Sequence, residues 1–263
     1  MMLTRSDHRI LGALQFVDAA TGVTIVNSIQ VRASGVQFVR NRSGYAIAFA
    51  APGVASLKDY GDAFDAPLNT PEVNSVAIDV QVTDPTGEYL PRRYILSLPR
   101  NPDPLQADQP DSVFQPAIVP LFRSPSAKVA ANWAVIHATV KNGDGHRLPW
   151  SLIRVIQSPT KTTLSQADWR GEALIVVPGI PVTTSGAGSG AVIVTETTVT
   201  LQIVFDTALQ TLPERPDFSL QQDPNQGYLP NPDRLNAGEG TLQTGTLTDT
   251  LAAKRDQAKT LTI

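Results

Sequence analysis

Apolar and polar residues alternate along most of this chain. In Val76-Ala77-Ile78-Asp79-Val80-Gln81-Val82-Thr83 and in Val199-Thr200-Leu201-Gln202-Ile203-Val204-Phe205 the period is two, the mark of a strand with one face buried and one in water. Turns separate such runs at short intervals: Asp18-Ala19-Ala20-Thr21-Gly22, Asp84-Pro85-Thr86-Gly87 and Asn142-Gly143-Asp144-Gly145. In each, glycine supplies a positive φ and the Asx side chain bonds its own backbone. The 21 prolines remove long helices from consideration. Short strands punctuated in this way predict an all-β chain of the sandwich type.

The pattern is written twice. Residues 10–49 read as a strand, the turn Asp18 to Gly22, strands at Ile29 to Ala33 and Val36 to Arg40, then Asn41-Arg42-Ser43-Gly44 before Tyr45 to Phe49. Residues 133–177 repeat the order, with the turn Asn142 to Gly145, a strand at Leu152 to Ile156, and Asp168-Trp169-Arg170-Gly171 before Leu174 to Val177. Asp84 precedes Leu90-Pro91-Arg92-Arg93 by the same spacing at which Asp206 precedes Leu212-Pro213-Glu214-Arg215. A duplicated unit implies two domains, each burying its own core. The expected division is a first β-sandwich at 1–98, a Pro-rich linker at 99–127, a second β-sandwich at 128–220 and an extended C-terminal arm at 221–263.

The linker carries seven prolines from Pro99 to Pro125, and Pro-rich chain is extended and semi-stiff. Its apolar residues Val113, Phe114, Ile118, Val119, Leu121 and Phe122 predict that it packs along a domain face. The arm holds repeated Thr-Leu pairs ending in Leu242, Leu247, Leu251 and Leu261, with no evident core of their own. Three outcomes stay open for it: a helix over Asp249 to Lys259 capped by Thr248, a strand donated to the sheet edge of a neighbour, or disorder.

Charge and composition then narrow the partners. A net charge of -3 and scattered basic residues supply no field for nucleic acid. Without cysteine, disulfides and thiolate metal sites are excluded, which fits a cytoplasmic protein. Met1 to Arg9 is polar, so Sec-type export is not expected, and no apolar run is long enough to span a bilayer.

Chemistry is sparse. His8, His137 and His146 are the only histidines, and none has neighbours suited to a metal site or acid-base pair. The turn at Asn142 to Gly145 lacks the distal glutamate of a calcium loop. Asp18 with Asp84, or Asp168 with Glu172, could gather at a sandwich end around a hard cation, although a solvated surface is the plainer reading. The loop Thr184-Ser185-Gly186-Ala187-Gly188-Ser189-Gly190 has neither the lysine nor the following helix of a phosphate loop. It reads as a hairpin tip. Trp133, Trp150 and Trp169 all fall in the second copy, and Trp169 stands in a turn. No catalytic, cofactor-binding or metal residues are expected. The candidate contacts are Trp169, Trp150, Ser185, Gly188, Leu242, Leu247 and Leu251, which weights the second copy as the end that touches a partner.

With Leu148-Pro149-Trp150-Ser151-Leu152-Ile153-Arg154-Val155 leading to Asp168-Trp169-Arg170-Gly171-Glu172-Ala173, the second copy resembles transthyretin-like, carboxypeptidase-regulatory-like domains. The first copy departs from that motif at Asn41-Arg42-Ser43-Gly44. The resemblance implies tandem Ig/transthyretin-like β-sandwiches serving as scaffold or contact modules, without enzymatic activity. Paired sandwiches with a Pro-rich connector and a Thr-rich arm also resemble accessory structural proteins of phage tails and phage-tail-like contractile injection particles. That implies a baseplate or cap component assembled in the cytoplasm into a particle that is released or membrane-associated. Its partners would be other protein subunits, held through arm and linker, with no nucleic acid and no membrane insertion. The alternative is a carbohydrate- or receptor-binding module.

Overall fold

The computed structural model of the chain describes residues 9–63, 70–130, 133–180, 182–184, 192–194, 196–211, 229–253 and 255–263. Strands dominate them, as the alternation predicts. The first unit runs β1 (Gly12–Asp18), β2 (Gln30–Ala33), β3 (Gln37–Arg40), β4 (Ala46–Ala50), the helix α1 (Ala55–Asp62), β5 (Val76–Thr83), β6 (Arg92–Leu98) and β7 (Ala117–Leu121). They form one sheet of order β3-β4-β1-β7 and another of order β2-β5-β6. Leu14, Phe16 and Val119 of the first sheet and Val80 and Leu98 of the second are all fully buried in one apolar cluster, so the sheets share a core.

The second unit contains β8 (Ala134–Lys141), β9 (Leu152–Ser158), β10 (Lys161–Gln166), β11 (Glu172–Val177), β12 (Val182–Thr184), β13 (Val192–Val194), β14 (Glu196–Asp206), the helix α2 (Pro232–Ala237), β15 (Leu242–Ala252) and β16 (Asp256–Thr262). Its sheets have the orders β10-β9-β14-β15 and β11-β8-β16, beside the β12-β13 hairpin. Ile136, Val140, Ile153, Leu201, Ile203 and Phe205 fill the core between them.

One pairing scheme recurs in both units. The opening strand lies antiparallel to β4 and parallel to β7 in the first, and antiparallel to β11 and parallel to β16 in the second. The other sheet of each is an antiparallel run, β2-β5-β6 or β9-β14-β15. The units differ in the third strand, for β3 joins β4 whereas β10 joins β9. A close backbone approach accompanies the change. Gly35, at φ 71°, turns the chain from β2 into β3 against Gly53, where a Cβ would stand 2.4 Å from the Gly35 Cα. Only glycine fits there.

Two expected boundaries are corrected. The stretch read as a linker at 99–127 contains β7, which completes the first sheet, and its loop is fixed by the buried Arg100, whose Nε donates to the Ser112 carbonyl at 3.1 Å. Pro120 is compatible with this strand because β7 lies at the sheet edge. The segment read as a free arm is paired within the chain from Leu242 onward: β15 follows β14 residue for residue from Asp206↔Leu242 to Glu196↔Ala252, and β16 runs beside β8. The helix over Asp249 to Lys259 is therefore replaced by two strands. The physical reason is alternation, since Leu251 and Leu261 turn into the second core while Thr244, Thr246, Thr248, Thr250, Thr260 and Thr262 face outward. No described helix is long and apolar enough to cross a membrane.

Because β16 supplies the parallel partner of β8 and buries Leu261, a chain ending at Ala253 should lose the cooperative urea transition of the second unit. Tryptophan fluorescence checks this, since Trp133, Trp150 and Trp169 all report on that unit. A truncated chain unfolding at the same midpoint as the full one would show that β16 adds nothing to the core.

Candidate functional site at the junction of the units

The junction is organised by turns that the sequence does predict. Asp84 Oδ1 accepts from the Thr86 amide at 2.9 Å and its Oδ2 from the Tyr89 amide at 3.0 Å, which folds residues 84–89 into a tight loop. Asp168 builds a loop of the second unit in the same way, with Oδ1 accepting from the amides of Arg170 at 2.8 Å and Glu172 at 3.1 Å. Between these loops lies a cleft of about 700 Å³. The first unit lines it with Gln30, residues 83–87, Tyr89, Leu90 and Pro91; the second contributes Trp150, Asp168, Trp169 and Arg170; Ser124 to Ser126 close it. Its volume is within the usual range for ligand cavities.

Trp150 and Trp169, expected as contacts, thus come to one place and differ in role. Trp150 is 1% exposed and adopts φ 61°, a left-handed conformation that costs a bulky residue about 1–3 kcal/mol. Hydrogen bonds on both sides hold it there: its amide donates to the Asp168 carbonyl at 3.1 Å, and its carbonyl accepts from Gln166 Nε2 at 3.3 Å. Trp169 is half-buried, with the Arg170 guanidinium 5.8 Å from its ring centroid. Arg170 bonds Asp168 and also pairs with Glu172, and the Asp168 hydrogen bond raises its pKa. The cleft therefore presents an aromatic edge, an arginine and several hydroxyls, among them Thr86, whose Oγ1 donates to the Asp84 carboxylate at 2.8 Å.

Neither carboxylate pair suggested by the sequence is arranged around a cation. Asp18 is 2% exposed, and its Oδ2 takes the Arg123 guanidinium at 2.6 Å and the Tyr89 hydroxyl at 3.0 Å, while Asp84 is occupied by its own loop. Glu172 pairs with Arg147 and Arg170. Among the described residues no group of three or more His, Asp or Glu side chains is gathered to hold a metal. The exposed His137 side chain bonds Asp256 at 3.2 Å, and the His146 amide donates to Asn142 Oδ1 at 2.8 Å within its hairpin turn. Arg123 also lies 5.7 Å from the Tyr89 centroid and 5.0 Å from that of Trp133, so one guanidinium joins both units behind the cleft.

A second tie was not evident from the sequence. The Arg92 side chain is fully buried; its Nη1 donates to the Pro120 carbonyl at 2.6 Å and its Nη2 pairs with Asp233 in α2. Burial lowers the Arg92 pKa, and Asp233 opposes that by favouring the cation. From the other unit, Arg154 donates to the Asn236 side chain at 3.0 Å and to its carbonyl at 2.8 Å. Between these two arginines Leu235 enters an apolar cluster with Leu90 and Phe122 of the first unit and Leu152 and Val204 of the second. The signal for α2 is Asn231-Pro232 at its start and Gly238, at φ 81°, at its end. Of the remaining expected contacts, Leu251 is buried in the second core, while Leu247 is partly buried against that core and Leu242 against the junction cluster. Ser185 and Gly188 lie outside the described residues.

Compared with family models, curated proteins and solved structures, the chain finds no match.

Burial, and then the Asp18 carboxylate, raise the Tyr89 pKa above its ordinary value of about 10. The unfolded phenol releases its proton first, so the stability this contributes is complete below about pH 10 and declines as pH rises beyond it. Tyr89→Phe should flatten that alkaline decline and lose roughly 1–2 kcal/mol near neutrality with the hydrogen bond to Asp18. Urea unfolding of both proteins from pH 7 to pH 11 measures the difference.

Proposed function

We propose that this chain is a non-catalytic structural component of a large symmetric assembly, made of two tandem Ig/transthyretin-like β-sandwiches. The sandwich reading is supported by a single pairing scheme in both units and by an apolar cluster between the two sheets of each. The observation that carries the structural role is the fastened junction. A helix held by a buried arginine from one side and a second arginine from the other, over a shared apolar cluster, makes the two units a spacer of fixed geometry. Independent binding modules on a tether need no such coupling. The more specific form, a baseplate or cap accessory protein of a phage-tail-like contractile injection particle, rests on the sequence resemblance.

Exposed apolar side chains give the reading a direction. Every large hydrophobic residue that stands exposed among the described residues lies between Ile10 and Val129, in the first unit and the chain leaving it. The surface suited to neighbouring subunits is thus on the first unit, opposite to the weighting drawn from the tryptophans.

The junction cleft favours a second reading, a carbohydrate- or receptor-binding module, because it gathers Trp169, Trp150, Arg170 and several hydroxyls in one cavity. Aromatic faces flanked by hydrogen-bonding groups suit such ligands.

Co-expressed with the products of its neighbouring genes, the chain should sediment in particles far heavier than itself; recovery only in the lightest fractions would overturn the assembly reading. The second reading predicts a hit on a glycan array that Trp169→Ala weakens at least tenfold while the melting temperature holds. An array without binding ends it.

A further inference from the structure

We propose that the outer face of the β3-β4-β1-β7 sheet is a self-association surface, on which a second copy of the chain packs the same face. This inference rests on the assembly reading and deepens it by naming the contact and its occupant. In β1, β4 and β7 the residues turned into the core alternate with Ala13, Gln15 and Val17, with Ile47 and Phe49, and with Ile118 and Pro120. Pairing register sets the outward residues side by side: Val39 opposes Ile47, which opposes Ala13, while Gln15 opposes Ile118 and Val17 opposes Pro120. Val39 is 49% exposed, Phe49 37% and Ile118 51%. Not one of these residues is charged. Of the polar side chains at this sheet, Gln15 donates through Nε2 to Thr24 Oγ1 at 2.7 Å, while Gln37 stands exposed on the edge strand β3.

The other sheets differ in kind. The outward positions of β2, β5 and β6 include Arg32 and the ion pair between Asp79 and Arg93. The β8 and β16 face carries His137 on Asp256, and β9 and β14 carry Arg154 on Gln202. Laying any of these against the apolar face would strip water from ions without providing partners, which is unfavourable. Among the sheet faces whose side chains are described, the uncharged one is therefore best matched by the same face of another copy. A two-fold axis provides that match, because the same patch then stands on both sides of the contact. Each copy also carries a net charge of -3, so two copies meet with least repulsion where neither presents an ion.

Size sets the expected strength. Four strands about 4.8 Å apart, each showing roughly five residues at about 3.3 Å, give a sheet face of about 250–300 Å². A stable dimer buries about 800 Å² per partner. Even with Phe114, 56% exposed where the chain enters β7, the contact is smaller than that. It is a weak pairing in free solution, reinforced where other contacts already hold the copies together.

Sedimentation velocity of the full chain from about 5 to 500 μM tests this. The expected result is a monomer that shifts toward dimer with concentration. Ile118→Gln and, separately, Val39→Gln should each weaken that dimer at least fivefold with circular dichroism and melting unchanged, whereas Gln81→Lys on the other sheet should leave it intact. The two sites lie on different strands, so one variant remains informative if the other misfolds. A wild-type monomer throughout, or a dimer indifferent to both variants, overturns the surface. Either result leaves the assembly reading standing if the wild-type chain still enters heavy particles on co-expression. Dimerisation as expected, without entry into particles, sinks the assembly reading and spares the surface.

Discussion

The buried guanidinium of Arg92 imposes the constraint on which the rest of the arrangement depends. A cation removed from water needs its hydrogen bonds and a counter-charge, and breaking such a pair is far more damaging than the pair is stabilising. The first unit supplies the carbonyls of Arg93 and Pro120, and the counter-charge arrives from Asp233, far along the chain. Meeting that demand brings α2 to the junction, where Leu235 completes the apolar cluster and Asn236 comes within reach of Arg154. The Arg93 amide also bonds the Pro230 carbonyl at 2.7 Å, so the segment entering α2 lies along the β6 edge. Two sheet pairs, each with its own apolar cluster, are held in one orientation by a requirement of charge.

Alternation revealed the all-β character, and the turns at Asp84 and Asp168 showed where the chain bends. β7 and the terminal strands were harder to read for a common reason. Ala117-Ile118-Val119-Pro120-Leu121 sits among prolines that argue locally against a strand, and only its distant partner β1 makes it one. The Thr-Leu pairs after Leu242 suit an exposed strand, and Ala252 and Ala253 suit a helix equally well. The choice was made by β14 and β8, whose open edges accept them. Local propensity is weak beside such pairing.

The junction site was partly legible. Trp150 and Trp169 stood out as a concentration of aromatic residues, and the chain does bring them to one cleft. Nothing in the dipeptide Arg92-Arg93 distinguishes a buried cation from an exposed one, however, and Arg93 in fact pairs with Asp79 at a half-exposed site. The weighting toward the second unit also missed where apolar surface remains exposed. A tryptophan draws notice in a sequence, whereas Val39, Phe49 and Ile118 form a patch only after three separate strands have been laid in register. Such surface has no local signature.

The closing strand of each unit lies parallel to the opening one, and this orders events during synthesis. The first unit remains open until β7 is made and can then close while the second is still being translated. The second must hold β8 unpaired on one edge until β16, the last strand of the sequence described, has emerged. By then Asp233 has already been made, so α2 can dock on a finished first unit before its own unit is complete. The pairing of β16 with β8 joins residues far apart in sequence, so it carries a larger loop-closure cost than the hairpin pairings within the same unit.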